Sequence, residues 1–222
     1  MPSISAVLYD FDGTILDTEW IIYEEVLAIF QSEGYDLPLE QYAKCVGSSY
    51  AKWSPQTYLE ELSGKTYDWE ALNKVRDQKI HARLEELQSL PGVEDSLKAC
   101  LDQGLRLAVA SSSSHEWVER WLKQLNLTSY FEAIICREDV AQIKPAPDLF
   151  LKAAETLQLS PCECLVIEDS KNGVQAAKTA GMDVFVVPNR ISIVSDLSDA
   201  TVNLPSLLDF STTLDHYLNP AQ

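Results

Sequence analysis

Two carboxylates one residue apart close a short apolar run near the start of the chain, where Ala6-Val7-Leu8-Tyr9 leads into Asp10-Phe11-Asp12-Gly13-Thr14. On a strand, residues two apart share a face, so Asp10 and Asp12 can reach one site if the chain stays extended. Unpaired carboxylates at that spacing repel each other, and a hard divalent cation relieves the repulsion through oxygen ligands. Mg2+ is the natural guest, with a phosphate group sharing its coordination shell. Alone, the segment also reads as a strand followed by an ordinary Asp-Gly turn. Three more apolar or proline-flanked segments carry polar groups at their ends: Ser111-Ser112, Lys144, and Glu168-Asp169. A phosphate dianion needs a counter-charge, which Lys144 and a metal supply. The Ser111 hydroxyl and the backbone N–H groups after it, from Ser112 on, can donate to phosphate oxygens. A divalent metal draws carboxylates from more than one segment, which Asp169 and Glu168 provide. Each residue has an ordinary reading, as a solvated lysine, a capping serine or a surface acidic pair. Their recurrence at four successive strand ends is the specific signal.

The elements that must hold these groups alternate. Apolar strands are predicted at Ala6–Tyr9, Leu105–Ala110, Glu132–Cys136, Cys164–Ile167 and Asp183–Val187, with an edge strand at Thr201–Leu204. Helices are predicted over Glu19–Glu33, after Pro38, over Asp68–Leu87, Glu94–Gln103, Asp148–Leu157, Asn172–Ala180 and Leu207–Leu218. Another follows Ser113, read as its cap with Glu116 three residues on. Trp117 and Trp121, four apart on that helix, read as core side chains. Strands alternating with helices imply an α/β fold, a Rossmann-like doubly wound parallel sheet. No strand signal falls between Leu16 and Pro91, so a helical insert follows the first strand. The expected division is a core of residues 1–16 and 89–222 and an α-helical cap of residues 17–88.

The chain has 222 residues, 46% of them hydrophobic, enough for a sizeable core, and a formal net charge of −17. That balance argues against nucleic acid as a partner. It also repels a phosphorylated substrate, so an anion site must be made positive locally. Five cysteines without a framework spacing read as reduced thiols in a cytoplasmic protein. No apolar run approaches the ~20 residues of a membrane span, and no secretory leader is evident. A monomer is expected, with nothing that excludes an oligomer.

The order carboxylates, hydroxyl, lysine, carboxylates resembles the four motifs of the haloacid-dehalogenase-like (HAD) superfamily. The likeness runs over nearly the whole chain. It is nearest to the subgroup with a helical cap after the first motif, which includes β-phosphoglucomutase and many small phosphatases. The resemblance implies that Asp10 is a nucleophile that takes the phosphoryl group as an aspartyl-phosphate. It implies that Asp12 is the general acid for the leaving oxygen and then the base for water. Mg2+ would sit on Asp10, the backbone carbonyl of Asp12 and Asp169, with Glu168 in or beside its shell. Ser111, Ser112 and Lys144 would hold the phosphoryl oxygens.

Ile22 and Tyr50 stand where β-phosphoglucomutases carry a cap histidine and a phosphate-gripping arginine, which favours hydrolysis over mutase chemistry. The dehalogenase branch lacks the second aspartate, present here as Asp12. A phosphonate-cleaving relative needs a cap lysine in the site, and nothing in the sequence brings Lys44 or Lys52 there. A non-turnover phospho-aspartate signalling module shares the acidic, hydroxyl and lysine groups but has no ~70-residue insert. The expected function is Mg2+-dependent hydrolysis of a small phosphorylated metabolite, of the sugar or nucleoside phosphate type. The stretch Gly47–Trp53 is the candidate specificity loop.

Overall fold

Strands at the centre of the sheet are buried on both faces, which is why their sequences are continuously apolar rather than alternating. The computed structural model describes residues 4–46 and 53–219. Six parallel strands, β1 (Ala6–Tyr9), β2 (Arg106–Ala110), β3 (Ala133–Ile135), β4 (Cys164–Glu168), β5 (Asp183–Val186) and β6 (Val202–Asn203), lie in the order β3-β2-β1-β4-β5-β6. Successive residues of β1 serve opposite layers. Val7 and Tyr9 join a cluster with Leu97, Val118, Trp121 and Phe210, while Ala6 and Leu8 join one with Phe150, Ala153 and Val174. These come from α5 (Val93–Asp102), α6 (His115–Gln124), α7 (Asp148–Thr156), α8 (Lys171–Thr179) and α9 (Phe210–Leu218). The fold is the doubly wound Rossmann-like α/β arrangement. The strand order reverses between β1 and β4, the switch point at which such sheets hold ligands beyond their carboxyl ends.

The predicted edge strand is shorter than expected, with only Val202 and Asn203 pairing. The C-terminal helix begins at Phe210, after a single 3-10 turn at Leu207–Asp209. The cap of α6 is a correction. Ser114, not Ser113, accepts from the Trp117 N–H (3.3 Å), because the Ser113 hydroxyl is turned to Asp12.

Between β1 and β2 the chain forms α1 (Thr18–Ser32), α2 (Leu39–Tyr42), α3 (Pro55–Ser63) and α4 (Trp69–Leu84). They bury an apolar cluster that includes Tyr23, Phe30, Leu37, Tyr42 and Leu59, joined by Ile191 from beyond β5. Local signals set the ends. Ser54 accepts from the Thr57 N–H (3.1 Å) with Pro55 in the first turn, and Asp68 accepts from the Ala71 N–H (3.0 Å). Arg83 of α4 reaches back to Glu24 and to Glu25 (3.0 Å) of α1. Among the described residues no helix is long and apolar enough to cross a membrane.

Candidate active site

Pairing decides what meets at the sheet edge. Tyr9 lies opposite Val109 on one side and Ile167 on the other, so Asp10 leaves β1 beside the ends of both β2 and β4. Lys144, from the loop after β3, is 1% exposed, and its ammonium donates to Asp10 Oδ1 and to Glu168 Oε1 (2.7 Å). The other Glu168 oxygen accepts from the Asp169 N–H (2.9 Å), the Ser170 N–H (2.8 Å) and the Ser170 hydroxyl (2.9 Å). Asp169 Oδ2 accepts from Asn189 Nδ2 (2.6 Å).

Two glycines make room for this packing. Gly13, at φ +83°, faces Asn189 and Asp169, and an added Cβ would lie 2.6 and 2.7 Å from their polar atoms. A Cβ on Gly173 would lie 1.8 Å from the Glu168 carboxyl carbon. Gly173→Ala must therefore push the carboxylate that anchors Lys144. It is expected to cost about 1–3 kcal/mol of stability, as overpacking does. Activity should fall by roughly tenfold or more. Denaturant unfolding and turnover measured side by side check this, and an alanine variant with wild-type values for both would refute the role of the glycine.

Asp10, Glu168 and Asp169 each place a carboxylate oxygen within 4.8 Å of the others, all buried. One lysine faces three acids. Burial, with Glu168 nearby and only partly offset by Lys144, pushes the Asp10 carboxyl up to about 7. Burial and then Glu168 and Asp10 push Asp169 well above the usual carboxylate range. Glu19, half-buried at the start of α1, is pushed up to about 8 by burial and by Asp12 and Asp10. Burial disfavours the charged form of Lys144, but Asp10 and Glu168 outweigh it and hold the ammonium above its ordinary pKa. A cluster of hard oxygens short of positive charge suits a hard divalent cation. Both oxygens of Glu168 are already engaged, so Asp10 and Asp169 are the residues that can offer oxygen directly, with Glu168 behind them.

This charge shortage makes a prediction. A carboxyl whose pKa is higher folded than unfolded binds protons preferentially in the folded state. Its stabilisation is complete below the unfolded value and is lost as pH rises through the folded one. For Asp10 the window runs from 3.8 to about 7, and for Glu19 from 4.5 to about 8. With chelator present, the melting temperature should rise as pH is lowered from about 8.5 to about 6. Added Mg2+ should raise it most at the alkaline end and so flatten the profile. A melting temperature that falls on the same acidification would contradict the assignment.

Asp12 does not share the carboxylate cluster: its spacing from Asp10 allowed both side chains at one cation, whereas the resemblance implied only its backbone carbonyl there and left the side chain for proton transfer. The side chain is turned away and held by three donors: Thr18 Oγ1 (2.7 Å), Trp117 Nε1 (2.8 Å) and Ser113 Oγ (2.5 Å). Ser111 is buried beside them, and its Oγ accepts from the Ser113 N–H (3.0 Å). Asp10, Asp12, Ser111 and Ser112 open onto one cleft of about 630 Å³, walled by Ile22, Ile80 and His81 of the insert and by Trp117 and Arg137 of the core. Lys144, Glu168 and Asp169 lie beneath this floor, bound to Asp10 or clustered with it.

Ile22 is in that wall, whereas Lys44 is exposed and donates to Gln41 (2.5 Å). Tyr50, Lys52 and all of Gly47–Trp53 except Trp53 lie outside the described residues. Sequence reasoning missed Trp117, Thr18, Asn189 and Glu19. For Trp117 a signal exists: it stands three residues after the capping serine, where a first-turn side chain reaches back toward the sheet edge.

The family model of haloacid dehalogenase-like hydrolases matches residues 7–187. The chain belongs to this family. It is 42% identical over 215 residues to the Bacillus subtilis protein named "Putative phosphatase YhcW", covering 96% of this chain and 97% of that one. It is 33% identical over 188 residues to the fructose-1-phosphate phosphatase YqaB of Escherichia coli, covering 82% and 96%. A solved structure of a mutant CbbY from Rhodobacter sphaeroides in complex with xylulose-(1,5)bisphosphate superposes with a TM-score of 0.75 at 26% identity, covering 92% of this chain and 95% of that one. The Bacillus subtilis and Escherichia coli relatives are named as phosphatases, and a phosphoric monoester hydrolase is the enzyme class to which this chain belongs.

Proposed function

We propose that the protein is a Mg2+-dependent phosphatase of small phosphorylated sugars that works through an aspartyl-phosphate on Asp10. The observation that carries the reading is the buried Lys144 ammonium held between Asp10 and Glu168, with Asp169 alongside. Lys144 offsets the charge of an incoming phosphoryl group in a molecule that otherwise repels it, and orients Asp10 at the same time. Ser111 and Ser112 supply hydroxyl and N–H donors to the phosphoryl oxygens. A carboxylate oxygen of Asp10 attacks phosphorus while the ester oxygen departs with a proton from Asp12. Water then attacks the aspartyl-phosphate, giving its proton to Asp12, and inorganic phosphate leaves. Mg2+, held by Asp10 and Asp169 with Glu168 beside them, would add charge stabilisation at the phosphoryl oxygens.

The same reading treats residues 17–88 as a cap on a core of residues 1–16 and 89–222. The insert contributes Ile22, Ile80 and His81 to the cleft wall, which supports closure over substrate and exclusion of water. Ile22 has no group that could relay a proton, which supports hydrolysis over internal phosphoryl transfer. The sugar phosphate class is supported by the names of YqaB and of the CbbY ligand. The test is phosphate release from a panel of sugar, polyol and nucleoside phosphates with Mg2+ and with chelator. Repeated, chelator-sensitive release from at least one sugar phosphate is expected; metal-independent turnover would overturn the metal assignment, and no release from any ester would overturn the phosphatase.

A further inference from the structure

We infer that Trp117 is a positioning residue for Asp12 and that it ties this aspartate to the helical insert through His81. The inference rests on the reading of Asp12 as the acid and base of a phosphatase. The link is continuous. Trp117 Nε1 donates to Asp12 Oδ1 (2.8 Å). The edge of its ring meets His81 of α4, with centroids 5.5 Å apart and planes at 61°. His81 also stacks on Trp121, at 6.0 Å and 24°, and the two tryptophans meet at 5.8 Å and 77°. One turn further on, Arg120 Nη2 donates to Glu85 Oε1 (3.2 Å) and Gln124 Nε2 to the Glu85 carbonyl (3.0 Å). Residues 117, 120, 121 and 124 form one stripe of α6, and the whole stripe docks on the end of α4 and the residue after it.

Two features mark this contact as more than packing. First, His81 Nδ1 and Trp121 Nε1 are buried at the contact without a hydrogen-bond partner among the described residues. A contact that leaves polar atoms unpaired holds less firmly than a satisfied core, and opening it returns both atoms to water. Secondly, the three donors on Asp12 come from both sides of the cleft. Thr18 begins the first helix of the insert, while Ser113 stands just before the cap of α6 and Trp117 in its first turn. The position of the insert therefore bears on Asp12 from two directions. With α4 docked, the Trp117 indole is pressed onto the carboxylate and fixes where its oxygens point. Asp12 matters most where the leaving oxygen is basic and needs a proton. Loss of its orientation should therefore harm poor leaving groups more than good ones.

The experiment compares kcat/KM for p-nitrophenyl phosphate and phenyl phosphate, whose leaving phenolates differ in basicity. It uses the full-length wild type and the variants Trp117→Phe, His81→Ala and His81→Phe. Trp117→Phe keeps an aromatic ring against His81 and removes the N–H. It is expected to lower both rates, with phenyl phosphate losing about tenfold more than p-nitrophenyl phosphate. His81→Ala should bias the same ratio in the same direction, and His81→Phe should bring it back to within about twofold of wild type. Equal losses on both substrates in Trp117→Phe, or none, would overturn the inference while a competent wild type left the phosphatase reading intact. A His81→Ala ratio equal to wild type would overturn the link to the insert. A wild type inactive on both esters would remove the phosphatase reading, and the inference with it.

Discussion

Lys144→Met should lose at least about 10²–10³-fold in kcat and melt roughly 10 °C lower than wild type near pH 8. Lys144 is 1% exposed, and its ammonium answers two carboxylates whose side chains are 9% and 0% exposed. Methionine fills the space with an apolar chain of similar length, so packing changes little. What changes is charge. Asp10 and Glu168 are left facing each other with Asp169 close by and no cation among them. Removing one partner of a buried ion pair typically costs about 3–5 kcal/mol, and each kcal/mol moves the melting point of a chain this size by about 2–4 °C. Protonation of one carboxyl limits the damage, so the deficit should shrink toward pH 6, and Mg2+ should recover part of it at pH 8. Thermal melts at both pH values, with turnover measured at a temperature where the variant is folded, separate the two losses. A variant that melts like wild type at pH 8 would mean that Lys144 does not hold the cluster together.

The parts of this site that could be read before any coordinates share one property, which is that their signal is local. An apolar run that ends in acids announces a buried strand with carboxylates at its tip, and this held for Asp10 and for Glu168-Asp169. Two prolines just after Lys144, Pro145 and Pro147, announced a loop. The relations among these groups were not local. Glu168 and Asp169 look alike in sequence, yet one is consumed by Lys144 and Ser170 while the other faces Asn189. That division depends on Gly173, whose missing side chain is the space the Glu168 carboxylate occupies.

Likewise, four consecutive serines offer equivalent caps to α6. The choice of Ser114 follows from Ser113 being drawn to Asp12, a residue 101 positions earlier. Trp117 and Trp121 have helical spacing and the same hydrophobicity. Only Trp121 is fully buried in the core; Trp117 is rotated by the packing of α6 against α4 so that its indole reaches the site. Helix orientation is a tertiary property, and periodicity alone does not contain it.

Asp10→Asn separates chemistry from architecture because its two effects should have opposite signs. The amide is not a competent nucleophile toward phosphorus, so phosphate release should fall by at least about 10³-fold. Yet the same substitution removes one negative charge from a buried cluster of three carboxylates and one lysine. The Asp10 carboxyl is raised from 3.8 to about 7, which means that its ionised form strains the fold above neutral pH. At about 1.4 kcal/mol per pKa unit that strain is on the order of a few kcal/mol, shared with Asp169. Asparagine keeps the shape and can still accept from Lys144 through its carbonyl oxygen. The metal-free variant should therefore melt higher than metal-free wild type at pH 8, with the advantage fading toward pH 5 as wild-type Asp10 takes up its proton. Mg2+ should stabilise the variant less than wild type, since a ligand charge is gone. Melting curves in chelator and in Mg2+, at both pH values, read all of this without any substrate. Retained turnover would exclude Asp10 as the nucleophile, whereas a variant that is inactive and also less stable at pH 8 would mean that Asp10 is held by its contacts and not strained by its neighbours.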